Sequence, residues 1–462
     1  MSPAEIIKSM IDGLGVSVLL PIIIFIIAKC FRVPWSRAIR SAVLIGIGFI
    51  GINAVLGIFL GGVGSVAGRM VDVTGITLPA LDVGWPAAAA IAWGIGKVGV
   101  WMIPAFLLLN LAMLGLKLTN TLNIDVWNYW HFAFTGALIL ALTGNIVYAF
   151  IGGLLMGAIC LVCADWTASA IEETFELPGV SIPHGFSVPF ALMVIPINWL
   201  LDRTPIKNIR ADPEAVKKKL GFLGEPIMLG LIIGFIIALV AYSNALGEAS
   251  SWYTILKTAM CMAAVMYILP MMVGILMEGL VPLSEAIRKT MTSRYKSRAF
   301  NIGLDSAILI GHPSAIASSL ILIPICIGLM VILPGNAMLL AVDLAVLPFL
   351  FCMMVPIMRG NIVKMVIAGT IVMIPTFYIG TALYPAFTSA AKEAGFGIPA
   401  GTLSITSICD GANPLTYVLS WAVPWGFVIG GILFVVILLA LKKWPKKMAV
   451  IGGASEDFVN EK

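Results

Sequence analysis

The stretch Ile182-Pro183-His184-Gly185 recurs in the second half of the chain as Ile398-Pro399-Ala400-Gly401. An Asn-Ile-Val triplet precedes each copy, at Asn145-Ile146-Val147 and at Asn361-Ile362-Val363. The separation is the same in both halves, because each proline follows its asparagine by 38 positions (183 − 145 and 399 − 361). Matching motifs at matching separations indicate that the chain arose by an internal duplication.

Two further pairs of positions occur in the same order in the two halves. Gly84-Trp85-Pro86-Ala87 matches Gly311-His312-Pro313-Ser314, and Asp125 matches Asp343. The matched positions are Gly/Pro breaks and polar residues within apolar sequence. Secondary transporters built from repeats place their substrate sites at such broken helices. Coincidence of short Gly/Pro motifs is the alternative explanation.

Composition indicates a polytopic membrane protein of the all-α class. Of the 462 residues, 60% are hydrophobic and 11% are charged, which is more apolar surface than a water-soluble fold can bury. A membrane barrel is disfavoured, since barrel strands alternate apolar and polar residues. Several apolar stretches are long enough, or nearly so, to cross ~30 Å of hydrocarbon as helices. They include 14–28, 41–60, 98–116, 227–241, 316–333 and 424–441.

Other features of the composition exclude further classes. The first apolar run ends at Lys29-Cys30-Phe31-Arg32 and not at a small-residue cleavage site, which indicates a retained helix. Among seven cysteines, Cys160 and Cys163 have the spacing of a redox pair, but small core residues are the simpler interpretation. No metal-ligand cluster or nucleotide-binding loop is visible, so we expect no cofactor, no metal and no nucleic-acid partner.

Basic residues concentrate in four places, which the positive-inside rule assigns to the cytoplasm. The amino terminus then lies outside and the carboxyl terminus inside, with about eleven crossings. With about five crossings in each copy and a last helix at 423–441, the second copy is inverted relative to the first. The four groups are Lys29/Arg32/Arg37/Arg40, Arg203/Lys207/Arg210/Lys217/Lys218/Lys219, Arg288/Lys289/Arg294/Lys296/Arg298 and Lys442/Lys443/Lys446/Lys447.

Two Gly/Pro-rich segments predict broken helices. The first contains Pro178-Gly179, Pro183 and Pro189, and the second covers 395–401. Proline removes a donor and clashes with the preceding turn. Free amides at membrane depth are tolerated only where they line an enclosed cavity. We therefore predict re-entrant hairpins whose tips meet near the midplane. A simple surface turn is the alternative for 178–201.

Carboxylates within apolar runs are candidates for a binding site, because a charge at the bilayer centre costs at least ~2.5–3.5 kcal/mol. Asp343 lies amid apolar residues, and Asp125 is similar but nearer a polar loop. Asp305, Glu278 and Asp410 are further candidates. A helix cap or loop carboxylate is the competing interpretation, and it is favoured for Asp125, Asp305 and Glu278.

The three histidines of the chain differ in context. His184 and His312 lie at predicted breaks, each beside a proline, and a functional role is favoured for both. His131 follows Trp127-Asn128-Tyr129-Trp130, an aromatic cluster typical of a membrane interface. A structural role is therefore favoured for His131.

This set of residues favours an uncharged, polyhydroxylated ligand. Carboxylates accept hydrogen bonds, amide and imidazole side chains donate and accept them, and an unpaired buried hydroxyl costs ~1–3 kcal/mol. No basic cluster faces the predicted cavity, which disfavours an anion. We therefore predict a neutral sugar or sugar alcohol, with Trp85 presenting a flat apolar face. The predicted substrate-binding residues are Trp85, Asp125, Asn145, His184, Gly185, His312, Ser314, Asp343 and Asn361.

Seven motifs carry a family resemblance over nearly the whole chain. They are Asp82-Val83-Gly84-Trp85-Pro86, Asn123-Ile124-Asp125-Val126-Trp127-Asn128, Phe175-Glu176-Leu177-Pro178-Gly179, Ile182-Pro183-His184-Gly185, Phe222-Leu223-Gly224-Glu225-Pro226, Gly303-Leu304-Asp305 and Arg359-Gly360-Asn361. In sequence and spacing they resemble the galactitol-specific enzyme IIC family, the membrane subunit of a bacterial phosphoenolpyruvate-dependent sugar phosphotransferase system. The chain departs from the family pattern at His312-Pro313-Ser314, where members carry His-Thr.

The resemblance implies an architecture as well. Related ascorbate-type IIC proteins are dimers in which a scaffold domain holds a core domain, and the core carries substrate across the inner membrane in an elevator-type movement. The expected scaffold is 1–60 with 224–280, and the expected core is 61–202 with 281–422. A cytoplasmic linker at 203–223 and a final helix with its tail at 423–462 complete the chain.

The resemblance also implies partners. A soluble IIB subunit would carry phosphate on a cysteine, and a IIA subunit would phosphorylate IIB. The chain would be the translocating subunit and not an enzyme on its own. Phosphorylated IIB would dock on the basic loops and phosphorylate a substrate hydroxyl, with His184 or Asp343 as the candidate proton acceptor. Asp343→Asn should then weaken polyol binding at least tenfold, which corresponds to about 1.4 kcal/mol.

A proton- or sodium-coupled polyol symporter is the main alternative function, since buried carboxylates and imidazoles suit proton coupling. Without the family resemblance it ranks first. A self-contained membrane enzyme is disfavoured, because no nucleophile–base pair, metal motif or nucleotide loop is apparent.

Overall fold

The computed structural model describes residues 16–95, 98–209, 211–295, 300–399 and 402–461. In these ranges the chain is mainly helical, and seven helices are long and apolar enough to cross a membrane, with shorter apolar helices between them. The prediction of an all-α polytopic membrane protein is confirmed. The seven candidate spans are Trp35–Phe59, Val98–Gly115, Ile146–Phe175, Ala249–Leu280, Pro313–Ile332, Ile362–Glu393 and Trp425–Lys443.

The first half of the chain begins with two helices and continues with short strands and further helices. Gly144, with a left-handed φ of 65°, ends the helix Trp130–Thr143, and the side chain of Asn145 then caps the helix Ile146–Phe175. In order the elements are α1 (Val16–Cys30), α2 (Trp35–Thr74), β1 (Ala80–Asp82), α3 (Trp85–Gly94), α4 (Val98–Gly115), β2 (Thr121–Asn123), α5 (Trp130–Thr143), α6 (Ile146–Phe175), β3 (Val180–Ser181) and α7 (Ser187–Leu201).

A linker with helix α8 (Pro213–Leu220) leads to the second half, where the elements return in the same order. Two short helices, Leu347–Phe351 and Met354–Met358, take the place of α5, and Asn361 caps the helix Ile362–Glu393 as Asn145 caps α6. The elements are α9 (Pro226–Ala241), α10 (Ala249–Tyr295), β4 (Asn301–Gly303), α11 (Ala307–Ile310), α12 (Pro313–Ile332), β5 (Met338–Leu339), α13 (Leu347–Phe351), α14 (Met354–Met358), α15 (Ile362–Glu393), β6 (Ser404–Thr406) and α16 (Pro414–Trp421), followed by α17 (Trp425–Lys443), α18 (Pro445–Ile451) and α19 (Glu456–Glu461).

Helices α1, α2, α9 and α10 pack together as one group drawn from both halves. The long helices α2 and α10 lie against each other, and glycine lets their backbones approach closely. A Cβ added to Gly48 would lie 2.6 Å from the Cβ of Leu276, and one added to Gly51 would lie 2.3 Å from Sδ of Met272. Close backbone packing of this kind stabilises helix pairs where lipid removes the hydrophobic driving force.

Two three-stranded parallel sheets join the two halves of the chain. The sequence pattern predicted only helices and helix breaks, and no strands. Strand β1 lies between β5 and β6, and Ala80 pairs with both Met338 and Ser404. Strand β4 lies between β2 and β3, and Gly303 pairs with both Asn123 and Ser181. Each central strand comes from the half opposite to its two neighbours. This pairing satisfies backbone groups where helices are interrupted.

The chain leaves helical structure near both predicted breaks. Helix α6 ends at Phe175, Glu176 and Gly179 take φ values of 56° and 74°, and α7 begins at Ser187. In the described part of the second half, no helix lies between Glu393 and Pro414. Several residues named in the sequence analysis lie outside the described ranges: Ala400, Gly401, Arg210, Lys296 and Arg298.

Candidate functional site

The first tip, residues 182–186 between β3 and α7, buries His184 and Gly185 in the core. Glycine is required by space at position 185, since an added Cβ would lie 2.5 Å from the Cβ of His131. Ser187 holds the imidazole of His184, because its backbone nitrogen and its Oγ lie 3.4 and 3.2 Å from Nδ1. Contacts with His131 and with Ser187 therefore fix the position of the first tip.

The second tip, residues 407–413 between β6 and α16, meets the first. Asp410 has a φ of 63°, a left-handed conformation that aspartate adopts more readily than most residues. The side chain of Asn413 caps α16 through its oxygen, and its Nδ2 donates to the carbonyl oxygen of Gly185 at 2.9 Å. The sequence repeat predicts 398–401 as the counterpart of the first tip, whereas the segment that contacts the first tip is 407–413.

His131, the second residue of α5, lies where the two tips meet. Its Nδ1 is 2.6 Å from Oδ2 of Asp410. Its ring meets that of His184 edge to face, with centroids 4.7 Å apart. All three side chains are buried. The structural role favoured for His131 from the sequence is thus incomplete, because the imidazole lies between the residues of both tips.

Two carboxylates and an amide extend this group. Nδ2 of Asn128 donates to Oδ2 of Asp125 at 2.5 Å and to Oδ2 of Asp305 at 2.9 Å. Oδ1 of Asp305 lies 3.9 Å from Nε2 of His184. The Asp305 side chain is 14% exposed and that of His184 is 4% exposed, so solvent reaches the group from the side of Asp305. We call these side chains the tip cluster: Asp125, Asn128, His131, His184, Asp305 and Asp410.

A second pair of carboxylates, Asp82 and Asp343, anchors the backbone. Oδ2 of Asp343 accepts from Oγ of Ser407 at 2.6 Å and from N–H of Ile408 at 2.8 Å. Its Oδ1 accepts from N–H of Trp85, whose side chain is 43% exposed, at 3.2 Å. Asp82 accepts from N–H of Asp343 at 2.6 Å. Both Asp343 oxygens are thus engaged, and this arrangement favours an anchoring role over the ligand role predicted for Asp343.

His312 and Ser314 lie together in another place, against the linker. Nδ1 of His312 accepts from N–H of Ser314 at 3.2 Å, and Oγ of Ser314 donates to the carbonyl oxygen of Gly360 at 2.7 Å. Nδ2 of Asn361 donates to the carbonyl oxygen of Ile209 in the linker at 2.6 Å. Within the described ranges, no hydrogen bond or ion pair joins these residues to the tip cluster.

Asn145 lies at the opposite end of α6 from this second group. It is the N-cap of α6, and its Oδ1 accepts from N–H of Val147 at 2.9 Å. Phe175 ends the same helix and lies against His312, with ring centroids 5.6 Å apart. A helix of 30 residues is ~45 Å long, so Asn145 is far from Asn361 and His312. The repeated Asn-Ile-Val triplet therefore marks two equivalent helix starts and does not form one site.

The tip cluster contains one residue, Asn128, that the sequence did not single out, because it lies in an aromatic stretch. The cap or loop interpretation favoured for Asp305 agrees with its Oδ1, which accepts from N–H of Ala307 at 2.8 Å. One usable signal for the second tip was proline spacing, because Gly185 precedes Pro189 by four positions and Asp410 precedes Pro414 by four. Matching Pro414 with Pro189 aligns 407–413 with 182–188.

His131, Cys409 and Asp410 place their ligand atoms within 4.8 Å of one another, and such a set suits zinc. The 2.6 Å between Nδ1 of His131 and Oδ2 of Asp410 is a hydrogen-bond distance. Two tetrahedral ligands at ~2.0–2.1 Å from one zinc ion would be separated by about 3.3 Å. The group is therefore a hydrogen-bonded His–Asp pair beside a thiol.

Comparison with known proteins places this architecture among sugar permeases. A family model described as the PTS system sugar-specific permease component, EIIC-GAT, matches residues 10–401. A putative permease IIC component of Escherichia coli (strain K12) is 36% identical over 400 residues, covering 86% of this chain and 90% of the relative. The PTS system galactitol-specific EIIC component of the same strain is 32% identical over 446 residues, covering 95% and 96%.

Proposed function

This chain belongs to the EIIC-GAT family of PTS sugar-specific permease components, and we propose that it binds galactitol in the tip cluster and carries it across the bacterial inner membrane. The relative named as galactitol-specific, similar over 95% of this chain, supports this choice of substrate. The single observation that carries the choice of site is the meeting of His184, Asp305 and His131 between two non-helical tips.

The chemistry of the tip cluster supports a neutral polyol. Imidazole nitrogens and carboxylate oxygens accept hydrogen bonds from hydroxyl groups, and the Asn128 oxygen adds another acceptor. Within the described residues, no Lys or Arg forms an ion pair with Asp125, Asp305 or His184, so nothing there is arranged for an anionic ligand. A phosphorylated product would meet carboxylates, and like charges would promote its release.

The movement that we propose is of the elevator type. Helices α1, α2, α9 and α10 form the scaffold, whose expected bounds are 1–60 and 224–280; α2 and α10 continue past these bounds to Thr74 and Tyr295. The remaining elements of 61–202 and 281–422 form the core. We propose that the two halves are inverted repeats, because the same order of elements occurs twice and each sheet takes strands from both halves. We also propose a homodimer, in which scaffold helices of two copies meet.

The hand-off of the phosphoryl group takes place, in this proposal, at one basic face. The linker reaches Asn361, and Nε of the neighbouring Arg359 donates to the carbonyl oxygen of Gly453 in the C-terminal tail at 3.1 Å. The linker and the tail therefore adjoin the same corner of the protein, and both carry lysines. We assign this face to the cytoplasm, with the amino terminus outside and about eleven crossings. Phosphorylated IIB would be attracted there by charge.

Two measurements test this function. Galactitol should raise the melting temperature of the purified protein more than other hexitols, pentitols or ascorbate do. In vesicles, uptake should require phosphoenolpyruvate with the IIA and IIB subunits and should deliver galactitol phosphate. Uptake of free galactitol driven by a proton or sodium gradient would instead establish the symporter.

A further inference from the structure

The imidazole of His131 is held by one particular carboxylate. Nδ1 of His131 lies 2.6 Å from Oδ2 of Asp410, and Oδ1 of Asp410 lies 3.4 Å from Nδ2 of Asn413. Both oxygens of the carboxylate thus face nitrogen atoms. Asp410 is completely buried, so water does not compete for these contacts.

We propose that Asp410 is a positioning residue that keeps the proton of His131 on Nδ1, so that Nε2 accepts a hydrogen bond from a hydroxyl group of the substrate. This inference rests on the proposed function for the identity of the substrate. A carboxylate only accepts hydrogen bonds, so the imidazole nitrogen that faces it carries the proton. In a neutral imidazole the other nitrogen is then an acceptor.

The surroundings of His131 leave Nε2 for a ligand. Trp130 and Phe186 pack beside the ring, with centroids 3.9 and 6.2 Å away. Nε2 makes no hydrogen bond to any of the described residues, whereas the opposite edge of the ring is held by Asp410. The neighbouring His184 approaches Asp305, the most exposed carboxylate of the tip cluster. A polyol that reaches Asp305 therefore comes next to both imidazoles.

The backbone of the second tip keeps Asp410 in place. Immediately before it, N–H groups of Ile408 and Cys409 donate to Oδ2 of Asp343 at 2.8 and 3.3 Å. After it, Asn413 joins the tip to the carbonyl oxygen of Gly185. Hydrogen bonds thus hold the backbone on both sides of Asp410, and they fix the direction of its carboxylate. Asp343 supports the site through these hydrogen bonds.

The test is the substitution Asp410→Asn. Asparagine has nearly the same size as aspartate and also tolerates the left-handed conformation, so the tip should keep its fold. The new amide oxygen would accept from Nδ2 of Asn413, which turns the amide NH₂ towards His131. That group needs an acceptor, so the proton of His131 should move to Nε2. In the catalytic triad of serine proteases, a single Asp→Asn change likewise puts the catalytic histidine in the wrong tautomer.

Nitrogen-15 NMR of histidine-labelled protein measures the tautomer directly, because the chain has only three histidines. His131→Gln identifies the signals of His131 by their loss. We expect Nδ1 to be protonated and Nε2 unprotonated in the wild type, and the reverse in Asp410→Asn. The Kd for galactitol should rise tenfold or more in Asp410→Asn, with a melting temperature close to that of the wild type.

Three results would overturn the inference: a wild-type His131 protonated on both nitrogens, a tautomer that does not change in Asp410→Asn, or a changed tautomer with unchanged galactitol affinity. Asp202→Asn, at an exposed ion pair with Lys364, is the control and should alter neither readout. If the wild type bound no polyol at all, the proposed substrate would be wrong. The tautomer of His131 would still decide whether Asp410 positions that ring.

Discussion

The imidazole rings of His131 and His184 meet edge to face, with centroids 4.7 Å apart. The ring of His131 belongs to helix α5, and that of His184 belongs to the first tip, just before α7. Asp410 lies against the first ring, and Asp305 approaches the second to 3.9 Å. Two imidazoles flanked by carboxylates place several hydrogen-bond acceptors close together, as the proposed polyol ligand requires.

Asp305→Asn should weaken galactitol binding tenfold or more, which corresponds to about 1.4 kcal/mol. The asparagine replaces one acceptor oxygen by a donor group that faces either Nδ2 of Asn128 or the N–H of Ala307. It also removes the charge that strengthens hydrogen bonds from hydroxyl groups. Isothermal titration of the purified protein with galactitol measures the change. The melting temperature without ligand serves as the check on folding.

Asp202→Asn is the matched control for this change. Asp202 pairs with Lys364 at an exposed position, where an ion pair contributes ~0–1 kcal/mol to stability. Galactitol affinity should stay at the wild-type value in this variant. Equal affinities in Asp305→Asn and the wild type would remove Asp305 from the substrate site.

Gly185→Ala should disturb the site by a steric clash and not by a change in charge. The added Cβ would lie 2.5 Å from the Cβ of His131 and 3.1 Å from the ring of Phe132. Neither atom is the far end of a flexible chain, so the tip or α5 must shift, at about 1–3 kcal/mol for overpacking. We expect a lower melting temperature and weaker galactitol binding.

Gly115→Ala controls for the loss of glycine, since an added Cβ there meets no atom within 4 Å. It should behave as the wild type in both measurements. Wild-type stability and affinity in Gly185→Ala would show that the first tip and α5 can move apart without cost, contrary to their close packing.

The all-α membrane class could be predicted from composition, and proline breaks marked the segment where α6 ends and α7 begins. The repeated triplet singled out Asn145 and Asn361, and both side chains cap helices in the structure. A repeat motif does not distinguish helix capping from ligand binding. Strands of two or three residues are too short for an alternating pattern. The pairing of His131 with Asp410 joins distant parts of the chain, and no local pattern announces it.

Asp343→Asn should lower the stability of the folded protein and have a smaller effect on its affinity for galactitol. The carboxylate accepts from Trp85, Ser407 and Ile408, and an amide offers one oxygen in place of two. At least one buried N–H or O–H group would then face an NH₂ group, and each unpaired donor costs ~1–3 kcal/mol. Thermal melting of the purified variant measures this. Ser407→Ala keeps the carboxylate and should be milder.

A different result for Asp343→Asn would restore the interpretation drawn from the sequence. If the melting temperature were unchanged and galactitol affinity fell tenfold, Asp343 would be a ligand and not an anchor. Binding must therefore be measured well below the melting temperature of the variant.

His312→Asn should make the protein more resistant to acid. Burial lowers the pKa of His312 to about 4, and the nearby carboxylate of Asp212 opposes this shift. The unfolded chain binds a proton on this histidine below its usual pKa of about 6.5, whereas the folded chain resists protonation until about pH 4. The contribution of His312 to stability is therefore fully present above pH 6.5 and falls as the pH drops towards 4.

Asparagine at position 312 keeps the N-cap acceptor of α12 and does not titrate. The difference in melting temperature between wild type and His312→Asn should shift in favour of the variant from pH 7.5 to pH 5. Asp212→Asn, which keeps the cap on α8, removes the carboxylate that opposes the shift. His312 is already mostly unprotonated in the folded chain at pH 5, so this variant should follow the wild-type profile from pH 7.5 to pH 5. Identical pH profiles for the wild type and His312→Asn would show that His312 is as accessible to protons in the folded chain as in the unfolded one.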